Sequence, residues 1–222
     1  MPQETTEILF EELVKNQDDL SLFLDLYDGY NDFLRKLTSE FYETALWPGH
    51  QARVKAHNQA HPQSQLQPKL AHRSCLVEIG KWIPLLSVVA PGIWPDGLEV
   101  GLAGDGSGGI GKIYTQIVLN PVGKQEQAAL TRFSAQRPFL LDEAKQRFPS
   151  LTIGSNEDAV WCFYDPPYSN LNTREGILLM AQDVTAIKKG EKPSQEGSLS
   201  GRYIEDLLTM SELANQAFFE PV

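Results

Sequence analysis

The sequence predicts an α+β protein, with a mostly antiparallel or mixed sheet packed by N-terminal and C-terminal helices. Two observations carry this. One is an apolar stripe of helical period near the N-terminus, from Leu22 to Phe41. The other is a middle region of short runs rich in β-branched and aromatic residues, punctuated by Gly, Pro, Asn and Asp. Strands follow strands there with one helical stretch inserted, so regular βαβ alternation is not expected.

The elements follow in order. Residues Thr6 to Lys15 read as a short helix. Leu22, Phe23, Leu26, Tyr27, Tyr30, Phe33, Leu34, Leu37 and Phe41 recur at steps of three and four, which is one wide helical face. Such an aromatic stripe is expected to be core. Asp18 or Asp19 supplies an N-cap, and Pro48-Gly49 is expected to end the helix. Gln51 to Ala60 makes a further short helix, closed by His61-Pro62. The rest, up to Arg73, is expected as loop. The strand runs are "CLVEIG", "WIPLLSVV", "GLEVGLA", "GKIYTQIVLN" and "DAVWCFY", with "GILLMAQDV" as a further strand. "FLLDEAKQRF" reads as helix, with Pro138 ahead of it and Pro149 behind. Residues 1–187 then form a single domain whose helical part covers 1–49. A polar linker or mobile loop spans 188–200, and a helix over 201–222 docks on the domain.

Composition bounds the function. The 222 residues are 41% hydrophobic and 22% charged, enough for a packed core. No apolar run reaches the roughly 18 residues of a membrane span. The opening "MPQETTEILFEEL" is acidic, so a secretory signal is not expected. Cys75 and Cys162 are far apart and read as reduced thiols of a cytoplasmic protein. The net charge of -10 argues against nucleic acid as partner, because phosphate contacts need a basic surface. The charge is uneven. Up to Gly49 there are eleven acids, Asp25, Asp28 and Asp32 among them, against Lys15, Arg35 and Lys36. Between Glu43 and Glu78 there are no acids, but four bases and all four histidines. An acidic segment of this kind is a solvated face or a surface that attracts a basic partner.

Three motifs bear on chemistry. His57 and His61 are four residues apart, but Asn58 stands where a zinc hydrolase needs its glutamate, and Pro62 ends the helix. No metal is expected. "GLEVGLAGDGSGGIGK" holds six glycines between Gly101 and Gly111, counting both. Its Gly106-x-Gly108-x-x-Gly111 leads into a strand-like segment rather than a helix, and Lys112 is followed by Ile113 rather than a hydroxyl residue. A hairpin turn is expected instead. Finally, Asp165-Pro166-Pro167-Tyr168 follows a strand and matches the motif of enzymes that methylate exocyclic amines of bases. There the aspartate and a prolyl carbonyl hold the amine and the tyrosine stacks on the base. The glycine-rich turn would have to hold S-adenosylmethionine. The alternative is a strand stop followed by a turn. The reading adopted has no cofactor.

"KWIPLLSVV", "DGLEVGLAGDGSGGIGKIYTQIV" and "PFLLDEAKQRF" give a Trp-Ile-Pro-Leu element, a Gly/Asp-rich turn before a strand, and a later helix. Over about residues 82–148 this order resembles the SUKH superfamily, which contains fungal cell-wall-synthesis regulators and many bacterial immunity proteins. The resemblance implies a noncatalytic α+β protein that binds another protein, in bacteria often a toxin and frequently a basic nuclease. The expectation is therefore a protein-binding module, an immunity-type inhibitor or a regulatory scaffold, with amino methyltransferase as the alternative. Its partner-binding candidates are Trp94, Asp96, Asp25, Asp28 and Asp32. Trp94, in "APGIWPDG", is either an anchor for the partner or a core tryptophan.

Overall fold

A computed structural model describes residues 16–70, 82–105, 113–120, 126–165, 168–192 and 197–219. The chain divides into two compact units, Met1–Thr38 and Ser39–Val222. The expected Thr6–Lys15 helix, the "CLVEIG" strand, Cys75 and the turn at 106–112 lie outside the described residues.

In the first unit the described structure is helix α1, Gln17–Glu40, whose last turn crosses the unit boundary. Asn16 accepts from the backbone N–H of Asp18 and donates to Asp19, so the start is capped by Asn16 rather than by either aspartate. The helix forms where its apolar period predicts it. The burial does not follow. Leu22, Phe23, Leu24, Tyr27, Tyr30 and Phe33 are all exposed, Tyr27 to 72%. Of the stripe expected to be core, Leu37 and Phe41 are buried, while Leu22, Phe23, Tyr27, Tyr30 and Phe33 are open.

The second unit is α+β, as expected. A π-helical turn, Phe41–Leu46, leads into α2, Trp47–Ala60. Pro48 and Gly49 do not stop the helix. The Trp47 N–H reaches back to the Tyr42 carbonyl, a five-residue step. That wider turn lets proline, which has no N–H to place, sit in the first turn of α2.

Among the described residues six strands make one sheet in the order β1-β2-β3-β4-β6-β5: β1 Gln67–Leu70, β2 Trp82–Val89, β3 Leu98–Asp105, β4 Ile113–Leu119, β5 Thr152–Ser155 and β6 Ala159–Phe163. Every pairing is antiparallel. β1 occupies residues read as loop. Pro68 is tolerated there because, among the described strands, β1 lies at the edge of the sheet. In β2 the register shifts between Pro84 and Leu86, where a proline inside a central strand removes a ladder donor. β4 is buried over Ile113 to Ile117, as a central strand covered on both faces should be.

Helix α3, Glu126–Arg147, is longer than expected and includes Pro138 rather than starting after it. α4, Arg174–Lys188, is a helix where "GILLMAQDV" suggested a strand. The apolar run there contains Leu178, which is exposed, beside Met180 and Val184, which are buried, so the period is helical. α5, Leu199–Phe218, lies across β3 and β4 and is nearly engulfed: Tyr203, Ile204, Leu207, Met210, Leu213 and Phe218 are all buried. It starts inside the expected linker, of which residues 193–196 lie outside the described set. Its start is fixed by two caps. The Ser198 hydroxyl accepts from the Gly201 N–H, and the buried Asp183 carboxylate of α4 accepts from Leu199 N–H, Ser200 N–H and the Ser200 hydroxyl. A carboxylate is favoured there by the orphan donors and dipole of a helix N-terminus.

Candidate functional site

On α1, Asp25, Asp28 and Asp32 are spaced three and four apart and fall within about 60° of arc. All three are exposed, and Asp32 lies 3.6 Å from Arg35. The helix thus brings these three candidates together on one solvent-facing row. The exposed Phe23, Tyr27 and Tyr30 fall on the opposite side of the same helix. Sequence reasoning named the aspartates and missed the aromatics, because an apolar helical stripe ordinarily signals burial.

Trp94 and Asp96 belong to the second unit, in the turn between β2 and β3. Gly92 and Gly97 hold positive φ on either side of them. Trp94 is only 5% exposed, and its indole N–H donates to Asn215 of α5 at 2.7 Å. Asn215 donates in turn to Ser64. The structure therefore places Trp94 as a core tryptophan that ties the turn to α5, not as a surface anchor. Asp96, two residues on, is exposed.

The residues around the Asp-Pro-Pro-Tyr stretch form a polar cluster at the end of β6. Asp165 is exposed, while Pro166 and Pro167 lie outside the described residues. The Ile113 N–H donates to the Ser169 carbonyl, and Tyr164 N–H to the Ile113 carbonyl, which pins this turn beside the start of β4. The Arg202 guanidinium covers the Tyr168 ring at 4.1 Å, a cation–π contact that occupies the ring face. Tyr203 donates its hydroxyl proton to the Tyr168 carbonyl at 2.6 Å. Deeper in, the buried Tyr164 hydroxyl lies 2.7 Å from the Thr115 hydroxyl, and either can donate to the other. Burial pushes Asp206 up to about 6, against the nearby Tyr164 hydroxyl and Arg202 charge, which lower it. Burial also pushes the Cys162 thiol up to about 12, so this free cysteine stays protonated and is a poor nucleophile.

The glycine-rich segment joins β3 to β4, which pair antiparallel. The turn itself, residues 106–112, lies outside the described residues. A cofactor loop would lead from a strand into a helix. His57 and His61 stack at 4.6 Å between ring centroids, with burial the main cause lowering the His57 pKa. The helix ends at Ala60, so His61 has already left it. Among the described residues, no three His, Cys, Asp or Glu side chains gather in a metal-binding group. No helix among them is long and apolar enough to cross a membrane.

No family model, curated protein or solved structure matches the chain.

Proposed function

We propose that the protein is a noncatalytic protein-binding module that occludes the working surface of a basic partner, as an immunity-type inhibitor or a regulatory scaffold. One observation carries this reading: Asp25, Asp28 and Asp32 form a single exposed row on α1, in a chain of net charge -10. A row of like charges on one helix raises the local potential and speeds encounter with a cationic surface. The resemblance to SUKH immunity proteins points the same way, and the free, buried Cys162 fits a cytoplasmic setting. The methyltransferase reading draws less support. Arg202 already covers the Tyr168 ring, and β3 runs into an antiparallel strand rather than a helix.

The test uses the full chain as bait at low salt, with captured proteins identified by mass spectrometry. A basic protein should be retained. The triple variant Asp25→Asn, Asp28→Asn, Asp32→Asn should slow its association about tenfold. Retention that ignores both salt and the triple variant would refute the charge argument. Calorimetric binding of S-adenosylmethionine would favour the enzyme instead.

A further inference from the structure

The aspartate row leaves the opposite side of α1 unexplained. Leu20, Phe23, Tyr27, Tyr30, Leu34 and Leu37 follow one another at steps of three, four, three, four and three. Within the wide apolar face these six positions follow a heptad spacing. Phe23, Tyr27 and Tyr30 are exposed, Leu20 and Leu34 half-buried, and Leu37 buried. A helix with its apolar face open to water is marginal by itself, the more so with Gly29 in its middle.

We infer that α1 pairs with the α1 of a second copy of this chain as a two-stranded coiled coil. Three observations select that occupant. First, from Leu20 to Leu34 the seam keeps the 3.5-residue average of a two-stranded coil over two heptads; Leu37, the next seam position, is already buried. Second, between Phe23 and Leu34 the positions that flank the seam and ordinarily choose a partner by charge are Leu24, Leu26, Asn31 and Phe33. Nothing there repels an identical helix or selects a charged one. Asp25 and Asp32 take the outermost heptad position and Asp28 a neighbouring outward one, so the acids of two copies do not meet across the seam. Third, the area suffices. With about 200 Å² per aromatic side chain, the exposed parts of Phe23, Tyr27, Tyr30 and Phe33 together with Leu24 amount to about 500 Å² per chain. A pair would bury about 1,000 Å², the threshold for a specific interface.

This pairing goes beyond the proposed function and leaves the aspartate row outward on both helices. The two ideas also respond oppositely to salt. Screening weakens attraction to a basic partner but relieves repulsion between two acidic chains. The experiment is sedimentation velocity of the full chain at tens of micromolar, in low and high salt. The expected result is twice the chain mass, held at least as well in high salt. The double variant Tyr27→Glu, Tyr30→Glu should weaken association at least tenfold while the circular dichroism and melting of the rest of the chain stay unchanged. The double variant Asp25→Asn, Asp32→Asn should remain a dimer. Gly29→Ala, at an outward position with open space around it, should tighten the dimer several-fold. A wild-type monomer at about 100 µM overturns the inference. So does a dimer that survives the tyrosine variant. If removal of residues 1–15 turns a monomer into a dimer, the face belongs to that segment instead.

Discussion

His50 and Asp206 set how stability responds to pH, in opposite directions. His50 is fully buried on α2, with Nε2–H donating to the Ser87 carbonyl at 3.2 Å and Nδ1 left without a partner. Burial holds its pKa near 4, below the ordinary 6.5. The unfolded chain therefore takes up the proton first, and stability falls as the pH drops from 6.5 towards 4. The full effect is about 3 kcal/mol. His50→Gln keeps a donor for Ser87 and should flatten that fall in urea titrations run across this pH range. Asp206 works the other way. Its pKa is raised to about 6, so the folded state holds the proton more tightly than the unfolded chain. Its protonated form supports the fold at low pH, and that support is lost as the pH rises through 6. Asp206→Asn should accordingly stabilise the protein at pH 7, by about 1 kcal/mol after allowance for the partly exposed carboxylate. A variant less stable than wild type at pH 7 would show that the ionised carboxylate is needed where it sits. Neither residue was legible in the sequence. His50 was one of four histidines in a polar stretch, and Asp206 one acid on an amphipathic helix. Both owe their character to neighbours distant in sequence.

Among the elements, the junction of α4 with α5 is the most exacting. Asp183 accepts three hydrogen bonds from the first residues of α5 while itself buried. Asp183→Ala leaves two backbone donors and a hydroxyl without their partner and should cost about 2–4 kcal/mol, measured by chemical denaturation. Asp183→Asn, which retains an acceptor, should cost less. The sequence showed why α5 forms, through the spacing of Ile204, Leu207 and Leu208, but not where it starts, because the cap comes from another helix. Similar reasons explain the other differences. Pro48 was read as a helix stop and Pro138 as lying ahead of a helix, yet Pro48 sits in the first turn of α2, where its missing N–H costs nothing, and Pro138 sits inside α3. The β2–β3–β4 hairpins and β6 were legible because each strand alternates or runs apolar between glycines and prolines. The site divided differently. The aspartate row was visible as a charge asymmetry, whereas Trp94 kept two readings until its bond to Asn215 placed it in the core.

For the whole molecule, charge and the α1 surface combine into one account. Among the other described residues burial is conventional: the sheet, the π-helical turn, α3 and α5 supply the large enclosed side chains. Large exposed apolar side chains instead concentrate on α1, six of them within twelve residues. Contiguous apolar exposure of this kind marks interaction surfaces. Acidity adds long-range attraction for a cationic partner, which salt should weaken. At the scale of the molecule the prediction is therefore a complex whose association rate falls as ionic strength rises, while its dissociation rate changes little.

The most direct measurement is the association rate of the captured basic partner with the wild-type chain and with the Asp25→Asn, Asp28→Asn, Asp32→Asn variant, by surface plasmon resonance at two salt concentrations. The account predicts that the variant associates about tenfold more slowly in low salt and that the gap closes in high salt. Equal rates for the two proteins in low salt, or a captured partner that is not basic, would contradict it.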